Sequence, residues 1–145
     1  MTKEDKQILF QDLCARLPYG VKVSVNQSQL QNYDYKWKNW SFDEEPQEID
    51  GVSIYGVTFG CMDMSDGVIS FEFIKPYLFP LSSMTEEQKK EYDQLIELEL
   101  EAIDDEIDST QVTAFEVDCY NKHHFDWRGL IEKGLAINAV GLNIY

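Results

Sequence analysis

Apolar residues near the N-terminus recur at the spacing of a helix. They are Ile8, Leu9, Leu13 and Leu17. The pattern predicts a helix over residues 3–17, and Pro18 ends it because the residue before a proline is pushed out of the helical region. Alternating apolar residues over 21–25 then predict a strand with one solvent-exposed face.

The middle of the chain has the composition of short strands. Aromatic and β-branched residues, which are enriched in strands, dominate residues 35–42, 52–59 and 68–74. Asp66-Gly67 has the sequence of a tight hairpin turn before the third segment. Gly56, inside the second segment, indicates a bulge. We therefore predict a small antiparallel sheet, for which an SH3-like, partly closed form is one option.

Two prolines lie in the segment that follows, over residues 75–80. Proline lacks the N–H that a central strand donates, and it does not continue a helix. We therefore expect Lys75–Pro80 to be an extended connector outside the sheet, packed through its aromatic side chains.

The pattern returns to helical spacing in the last third of the chain. Thr85 and Gln88 have the spacing of a capping box and open a long predicted helix that ends near Ile107. A second helix, capped by Asp108 or Ser109, is predicted to end near residue 124. Asp126 is placed to cap a short third helix, and the apolar tail after it is expected to dock on the body.

These elements predict one α+β domain over residues 1–145. It has an N-terminal helix, a small antiparallel sheet, and a C-terminal helical hairpin followed by a short helix. Apolar residues make up 43% of the chain, which is enough for a single core. No apolar run is long enough to cross a membrane, and no signal-peptide pattern is present. Three scattered cysteines favour free thiols in a cytoplasmic protein.

Charge narrows the possible partners. The formal net charge is -15, and residues 81–109 alone carry eleven acidic and two basic side chains. A chain of this charge repels phosphate backbones, so direct nucleic-acid binding is disfavoured and a basic protein is the favoured partner. We therefore expect a non-enzymatic acidic interaction protein.

Two groups of residues are candidates for the contact with such a partner. Glu97, Glu101 and Asp105 recur at helical spacing on a polar face of the long helix. The alternative is that this face is only solvated. Trp37 and Trp40 lie in an aromatic segment and are enriched residue types at interfaces, although packing in the core explains them equally well.

The alternative function is a small hydrolase or metal-dependent enzyme. It would use Cys119, His123, His124 or Asp126, which lie close together in the sequence. A zinc site needs three or four ligands, and no second ligand pair completes one. Helix capping by Asp126 and core packing of the cysteine explain the same residues without catalysis. No phosphate-binding loop or other cofactor motif is present.

Three stretches resemble a known group of sequences. They are Leu13–Lys22, Lys75–Thr85 and Asn121–Leu135, about a quarter of the chain. They resemble a family of uncharacterised proteins of gut Bacteroidetes and their phages or prophages. The resemblance implies a bacterial or phage origin, and it implies no activity, cofactor or catalytic residue.

Overall fold

The computed structural model describes residues 1–42, 46–60, 62, 67–102 and 109–145. The helices in this part of the chain are α1 (Lys3–Arg16), α2 (Gln27–Tyr33), α3 (Glu86–Ala102) and α4 (Ser109–Lys122). The strands are β1 (Lys22–Val25), β2 (Gln47–Glu48), β3 (Gly51–Ser53), β4 (Gly56–Thr58), β5 (Ile74–Leu78) and β6 (Ile137–Asn138). The predicted α+β class is confirmed.

The N-terminal helix follows its sequence pattern closely. Thr2 and Asp5 form a capping box, in which each side chain accepts a hydrogen bond from the backbone N–H of the other. A 3₁₀ turn over Leu17–Tyr19 ends the helix, and Gly20 takes the left-handed conformation, with φ of 68°. Leu9 and Leu13 point into the core.

A mixed four-stranded sheet forms the centre of the molecule. Its strand order is β2-β1-β5-β6, and β3 and β4 pair separately. β1 runs antiparallel to β2 and β5, whereas β6 is parallel to β5. The sheet is therefore mixed rather than wholly antiparallel. Both strand orders are open, so the described strands do not form the SH3-like closure that was one option.

The connector prediction for residues 75–80 is wrong, because β5 lies between β1 and β6. Pro76 is paired with Val23. Asn26 lies three residues after Val23, and its N–H donates to the carbonyl of Phe73, three residues before Pro76, at 2.7 Å. Hydrogen-bonded and non-hydrogen-bonded pairs alternate in an antiparallel ladder, so the Val23–Pro76 pair is a non-hydrogen-bonded one. The missing N–H of proline therefore removes no bond to β1.

The strand predicted over residues 35–42 is also wrong. Asn26 caps α2 by accepting a hydrogen bond from the N–H of Gln29, and a 3₁₀ helix over Tyr35–Asn39 follows. Asp34 begins that turn, because its side chain accepts from the N–H of Lys36 at 3.0 Å. These local side-chain caps outweigh the strand propensity of the aromatic residues.

The third predicted strand segment, residues 68–74, pairs much less than expected. Ile69 forms one isolated bridge with Val57, with two hydrogen bonds of 2.9 Å. A 3₁₀ turn then covers Phe71–Phe73. Gly56 is a site of close approach rather than a bulge, since a Cβ there would lie 2.0 Å from the carbonyl oxygen of Ile69. The predicted turn residue Asp66 lies outside the described residues.

Helices α3 and α4 confirm the predicted helical hairpin. Thr85 and Gln88 form the expected capping box, and α3 packs mainly against α4, which also contacts α1. The predicted end near Ile107 and the alternative cap Asp108 lie outside the described residues. α4 ends at Lys122, two residues earlier than predicted.

The predicted short third helix is wrong, because the described residues 127–134 form turns. Asp126 nevertheless caps this segment. Its two carboxylate oxygens accept from the N–H groups of Leu130 and Ile131, both at 2.8 Å. The side chain satisfies the backbone of a turn without starting a helix.

The tail docks on the sheet, as predicted. Besides β6, it places the Tyr145 hydroxyl between two strands. That hydroxyl accepts from the N–H of Lys22 at 3.1 Å and donates to the carbonyl of Tyr77 at 2.9 Å. These two backbone groups continue the β1–β5 ladder, and the hydroxyl bridges them. The ammonium of Lys22 also donates to the carbonyl of Ile144.

The core lies between the sheet, α1 and α2. Its buried apolar side chains include Leu9, Leu13, Val21, Val23, Leu30, Trp37, Phe42, Val57, Phe71, Ile74, Leu78 and Leu130. None of the helices in the described ranges is long and apolar enough to span a membrane.

Candidate functional site

The α3–α4 hairpin leaves its apolar seam partly uncovered. Between residues 86 and 97 of α3, no side chain is fully buried, although the helix carries an apolar stripe that would normally face a core. Leu95 on α3 is 41% exposed, and Phe115 on α4 is 40% exposed. Both side chains line the same surface depression, so their exposed parts are neighbours.

A cleft of about 260 Å³ runs between the two helices. The side chains that line it are Tyr92, Leu95, Ile96, Phe115, Asp118, Cys119 and Lys122. We call this surface the hairpin cleft. It is smaller than the roughly 300–1,000 Å³ of typical small-molecule pockets, so its size suits one or two side chains of a partner.

Aromatic and polar contacts fix the two helices against each other below the cleft. The rings of Tyr92 and Tyr120 stack, with centroids 5.7 Å apart. The Tyr92 hydroxyl donates a hydrogen bond to Glu116. Burial and this bond to a carboxylate raise the pKa of Tyr92 well above its ordinary value of 10. The tyrosine therefore stays a hydrogen-bond donor at neutral pH.

Acidic side chains dominate the sequence of the hairpin, but few of them line the cleft. Residues 86–122 carry thirteen acidic and three basic side chains, whereas the carboxylate among the described lining residues is Asp118, which accepts a hydrogen bond from the Tyr19 hydroxyl at 2.5 Å. The Lys122 ammonium also lines the cleft and lies 3.8 Å from Glu91. The described lining therefore holds one carboxylate and one ammonium.

The predicted acidic residues are only partly placed by the structure. Glu97 is exposed on α3, but it is not among the side chains that line the hairpin cleft. Glu101 belongs to the last described turn of α3, where side chains are not described. Asp105 lies outside the described residues.

The predicted aromatic residues belong to a different part of the molecule. Trp37 is 3% exposed and therefore belongs to the core rather than to a contact surface. Trp40 is half-buried and stacks on Phe42, with ring centroids 6.0 Å apart. The exposed aromatics of this segment are instead Tyr33 and Tyr35.

Leu95 is the cleft residue that the sequence analysis missed. Tyr92, Leu95 and Ile96 stand at positions i, i+3 and i+4, which is the ordinary spacing of one apolar helix face. That spacing is the sequence signal for Leu95, and it does not state which neighbour covers the face.

The four residues of the enzyme alternative have separate structural roles. Cys119 lines the hairpin cleft, and His123 faces Glu91. His124 is buried beneath Tyr145, with ring centroids 3.8 Å apart, whereas Asp126 caps the turn after α4. The structure therefore does not join them into one site. Within the described ranges, no group of three or more metal-ligating side chains is found.

The chemistry of Cys119 also differs from that of an activated nucleophile. Burial, with Glu91 nearby, raises the pKa of its thiol above the ordinary value. Catalytic cysteines need the opposite change, because the thiolate is the reactive form. Cys119 therefore has the properties of a half-buried residue that lines the cleft, and not those of a catalytic nucleophile.

His124 is a strained position at the end of α4. Its φ is 57°, in the left-handed region that usually favours glycine. The N–H of Phe125 donates to the carbonyl of Tyr120, and that of His124 to Asn121, which is the Schellman pattern of a helix end. Burial, with Arg16 nearby, lowers the pKa of the imidazole to about 4. The ring is therefore neutral at physiological pH.

Comparisons with known proteins add no family to this description. No protein-family model, no curated protein and no solved structure matches the chain. The resemblance to proteins of gut Bacteroidetes and their phages stays a prediction. Function is therefore argued from the hairpin cleft itself.

Proposed function

We propose that this chain is a non-enzymatic interaction domain that binds a basic protein partner through the hairpin cleft. The observation that carries the proposal is the pair Leu95 and Phe115, which share one cleft and are each about two-fifths exposed, on a chain of net charge -15. Apolar side chains supply the favourable free energy of association when they are buried. The net negative charge of the chain favours a partner of opposite sign and speeds its approach.

The same charges disfavour other classes of partner. Nucleic acids and anionic membrane surfaces carry negative charge, which thirteen acidic side chains in residues 86–122 repel. The small volume of the cleft disfavours a bound cofactor. A protein surface with exposed Lys or Arg around apolar residues fits both features.

The proposed setting is the cytoplasm of a bacterial cell, whether the gene is bacterial or phage-borne. The free thiols of Cys14 and Cys119 support this setting, because secreted proteins usually pair their cysteines. The resemblance of the three sequence stretches supports the bacterial or phage origin.

The test is affinity capture from a bacterial lysate with three forms of the protein. They are the wild type, a cleft variant with Leu95→Ser and Phe115→Ser, and a control variant with Ile54→Ser. Ile54 is 69% exposed and lies on the β3–β4 turn, away from the cleft. We expect the wild type and the control to capture the same basic proteins, and the cleft variant to lose them.

Salt gives a second readout of the same experiment. Raising NaCl from roughly 50 to 300 mM shortens the range of charge interactions, so capture should weaken without disappearing. Equal capture by the cleft variant, or a set of acidic captured proteins, contradicts the proposal.

A further inference from the structure

Residues 140–145, here called the tail strap, contact the body at both ends. Near β6, the N–H of Ala139 donates to the carbonyl of Leu78 at 2.8 Å. At the other end, the ring of Tyr145 stacks on the ring of His124. Most of the strap between these contacts is exposed. The contacts around Tyr145 therefore hold the far end of the strap on the sheet.

The tail strap also forms one wall of a cavity of about 230 Å³. Val140 and Gly141 of the strap line this cavity together with Phe79 and Phe125 of the body. The Phe79 ring contacts Tyr145 as well, with ring centroids 5.9 Å apart. Movement of the strap would therefore open the cavity and uncover aromatic side chains.

The imidazole beneath the strap is arranged for its neutral form. His124 is 6% exposed and has a backbone hydrogen bond with Tyr19. Its Nδ1 atom has no hydrogen-bond partner in the described part of the chain. A neutral imidazole carries one donor N–H, whereas the protonated ring carries two. Protonation would therefore bury a second N–H without an acceptor, which costs free energy.

The charged groups that act on His124 also oppose a positive ring. Arg16 reaches it from α1, Lys22 from β1, and His123 is its neighbour at the end of α4. Asp12 offsets part of the Arg16 charge, because the two are bound to each other. Burial, together with these cations, lowers the pKa of the imidazole to about 4.

The phenol above the imidazole behaves differently in acid. Burial, with the carboxylates of Glu48 and Asp12 nearby, raises the pKa of Tyr145 to about 12. Its hydroxyl therefore keeps its proton over the whole range in which the imidazole titrates. Acid changes the charge of His124 alone in this stacked pair.

Of the groups that cover His124, the strap can move with the least disruption. Arg16 has no exposed surface, and it bonds to Asp12 and to the carbonyl of Phe125, so moving it would separate α1 from the end of α4. Tyr145 is 42% exposed. The backbone groups that its hydroxyl bridges can bond to water once it leaves.

We infer that the tail strap is an acid-sensitive lid, in which protonation of His124 releases Tyr145 while the sheet stays paired. The inference does not depend on the hairpin cleft. When the strap is released, water reaches the imidazole, and its pKa rises from about 4 towards the ordinary value of 6.5. Docking of the strap should therefore weaken by up to about 20-fold between pH 7 and pH 5.

Amide hydrogen exchange followed by NMR tests the inference, because a protection factor reports how often a hydrogen bond opens. The reporter is the N–H of Lys22, which donates to the Tyr145 hydroxyl. The reference is the N–H of Ile69, which donates to the carbonyl of Val57 in the core. Both are measured at pH 7 and pH 5 and corrected for the intrinsic exchange rate at each pH.

Local release and global unfolding give different results. If the strap opens by itself, Lys22 should have a lower protection factor than Ile69 at both pH values. Its protection should fall by up to about 20-fold at pH 5. Equal protection factors for the two amides would show that Tyr145 leaves only when the whole fold opens, and would overturn the inference.

Variants assign the response to one group. His124→Asn tolerates the left-handed backbone and should abolish the loss of Lys22 protection in acid. The matched control, His123→Asn, should keep it. A second variant, Tyr145→Ala, should lower the protection of Lys22 at pH 7 already and leave Ile69 protected. A wild-type response in His124→Asn, or its loss in His123→Asn alone, would contradict the lid.

Discussion

Asp12 and Arg16 form an ion pair on α1 that has no exposed side-chain surface. The Arg16 guanidinium donates to both carboxylate oxygens, at 2.7 and 3.0 Å. It also donates to the carbonyl oxygens of Phe125 and Tyr120, and Arg128 lies 3.4 Å from Asp12. One side chain therefore links α1 to the end of α4 through groups that water does not reach.

Removing this guanidinium should destabilise the fold strongly. Arg16→Met leaves the Asp12 carboxylate and two carbonyl groups without that donor, and breaking one side of a buried pair costs about 3–5 kcal/mol. Urea denaturation measures the loss. The matched control is Lys6→Met, which breaks the exposed Lys6–Glu72 pair and should change stability by less than about 1 kcal/mol.

A double variant tests whether charge burial is the cause. Asp12→Leu combined with Arg16→Met removes both charges, so it should be more stable than Arg16→Met alone. An equal or larger loss in the double variant would indicate that the carbonyl contacts, and not the ion pair, dominate.

At the scale of elements, the end of α4 should respond to acid. The folded protein keeps His124 neutral down to a pKa of about 4, against an ordinary value of 6.5. The unfolded chain therefore takes up a proton first. This contribution to stability is complete above pH 6.5 and is lost as pH falls towards 4, by up to about 1.4 kcal/mol per pH unit.

Replacing the imidazole should reduce the loss of unfolding free energy between pH 6.5 and pH 4. His124→Asn tolerates the left-handed conformation and does not titrate in this range. Urea denaturation at several pH values between 4 and 7 compares it with the wild type and with His123→Asn. Curves of equal slope for wild type and His124→Asn would contradict the role of His124.

Elements with strong local signals were predictable from the sequence. α1 and the start of α3 carry complete capping boxes, and a cap together with an amphipathic stripe predicts the same element twice. α2 was missed because Leu30 is its one buried side chain, so its seven residues show no apolar stripe at helical spacing. Tertiary pairing that no local pattern encodes, such as the parallel β5–β6 contact, was also missed.

The candidate site was only partly predictable, for a related reason. The acidic character of α3 is visible in composition, but the predicted residue Glu97 does not line the cleft. Exposure of Leu95 and burial of Trp37 depend on which neighbours cover them, and a sequence pattern does not state that coverage. The apolar seam therefore became visible only with the packing of α3 on α4.

At the scale of the whole molecule, 27 acidic and 12 basic side chains make self-repulsion a general term in stability. The Debye length falls from about 30 Å at 0.01 M salt to about 8 Å at 0.15 M. Salt should therefore raise the melting temperature by roughly 2–4 °C for each kcal/mol gained. Differential scanning calorimetry at several NaCl concentrations measures the melting temperature.

A charge variant supplies the control for this effect. Glu87→Lys with Glu97→Lys changes two exposed side chains of α3 and lowers the repulsion, so its melting temperature should respond less to salt. A wild-type melting temperature that falls with salt would show that attractive ion pairs outweigh repulsion in this fold.

Pro76 has a consequence for how the sheet is assembled. In the observed pairing it faces Val23 where β1 requires no donor. Sliding β5 by one residue would put the pyrrolidine ring where the ladder needs an amide proton, and would turn Ile74 and Leu78 away from the core. Pro76 therefore destabilises the shifted register and costs the observed one no hydrogen bond to β1. A residue usually regarded as a strand breaker thus selects between two alignments of the same strand.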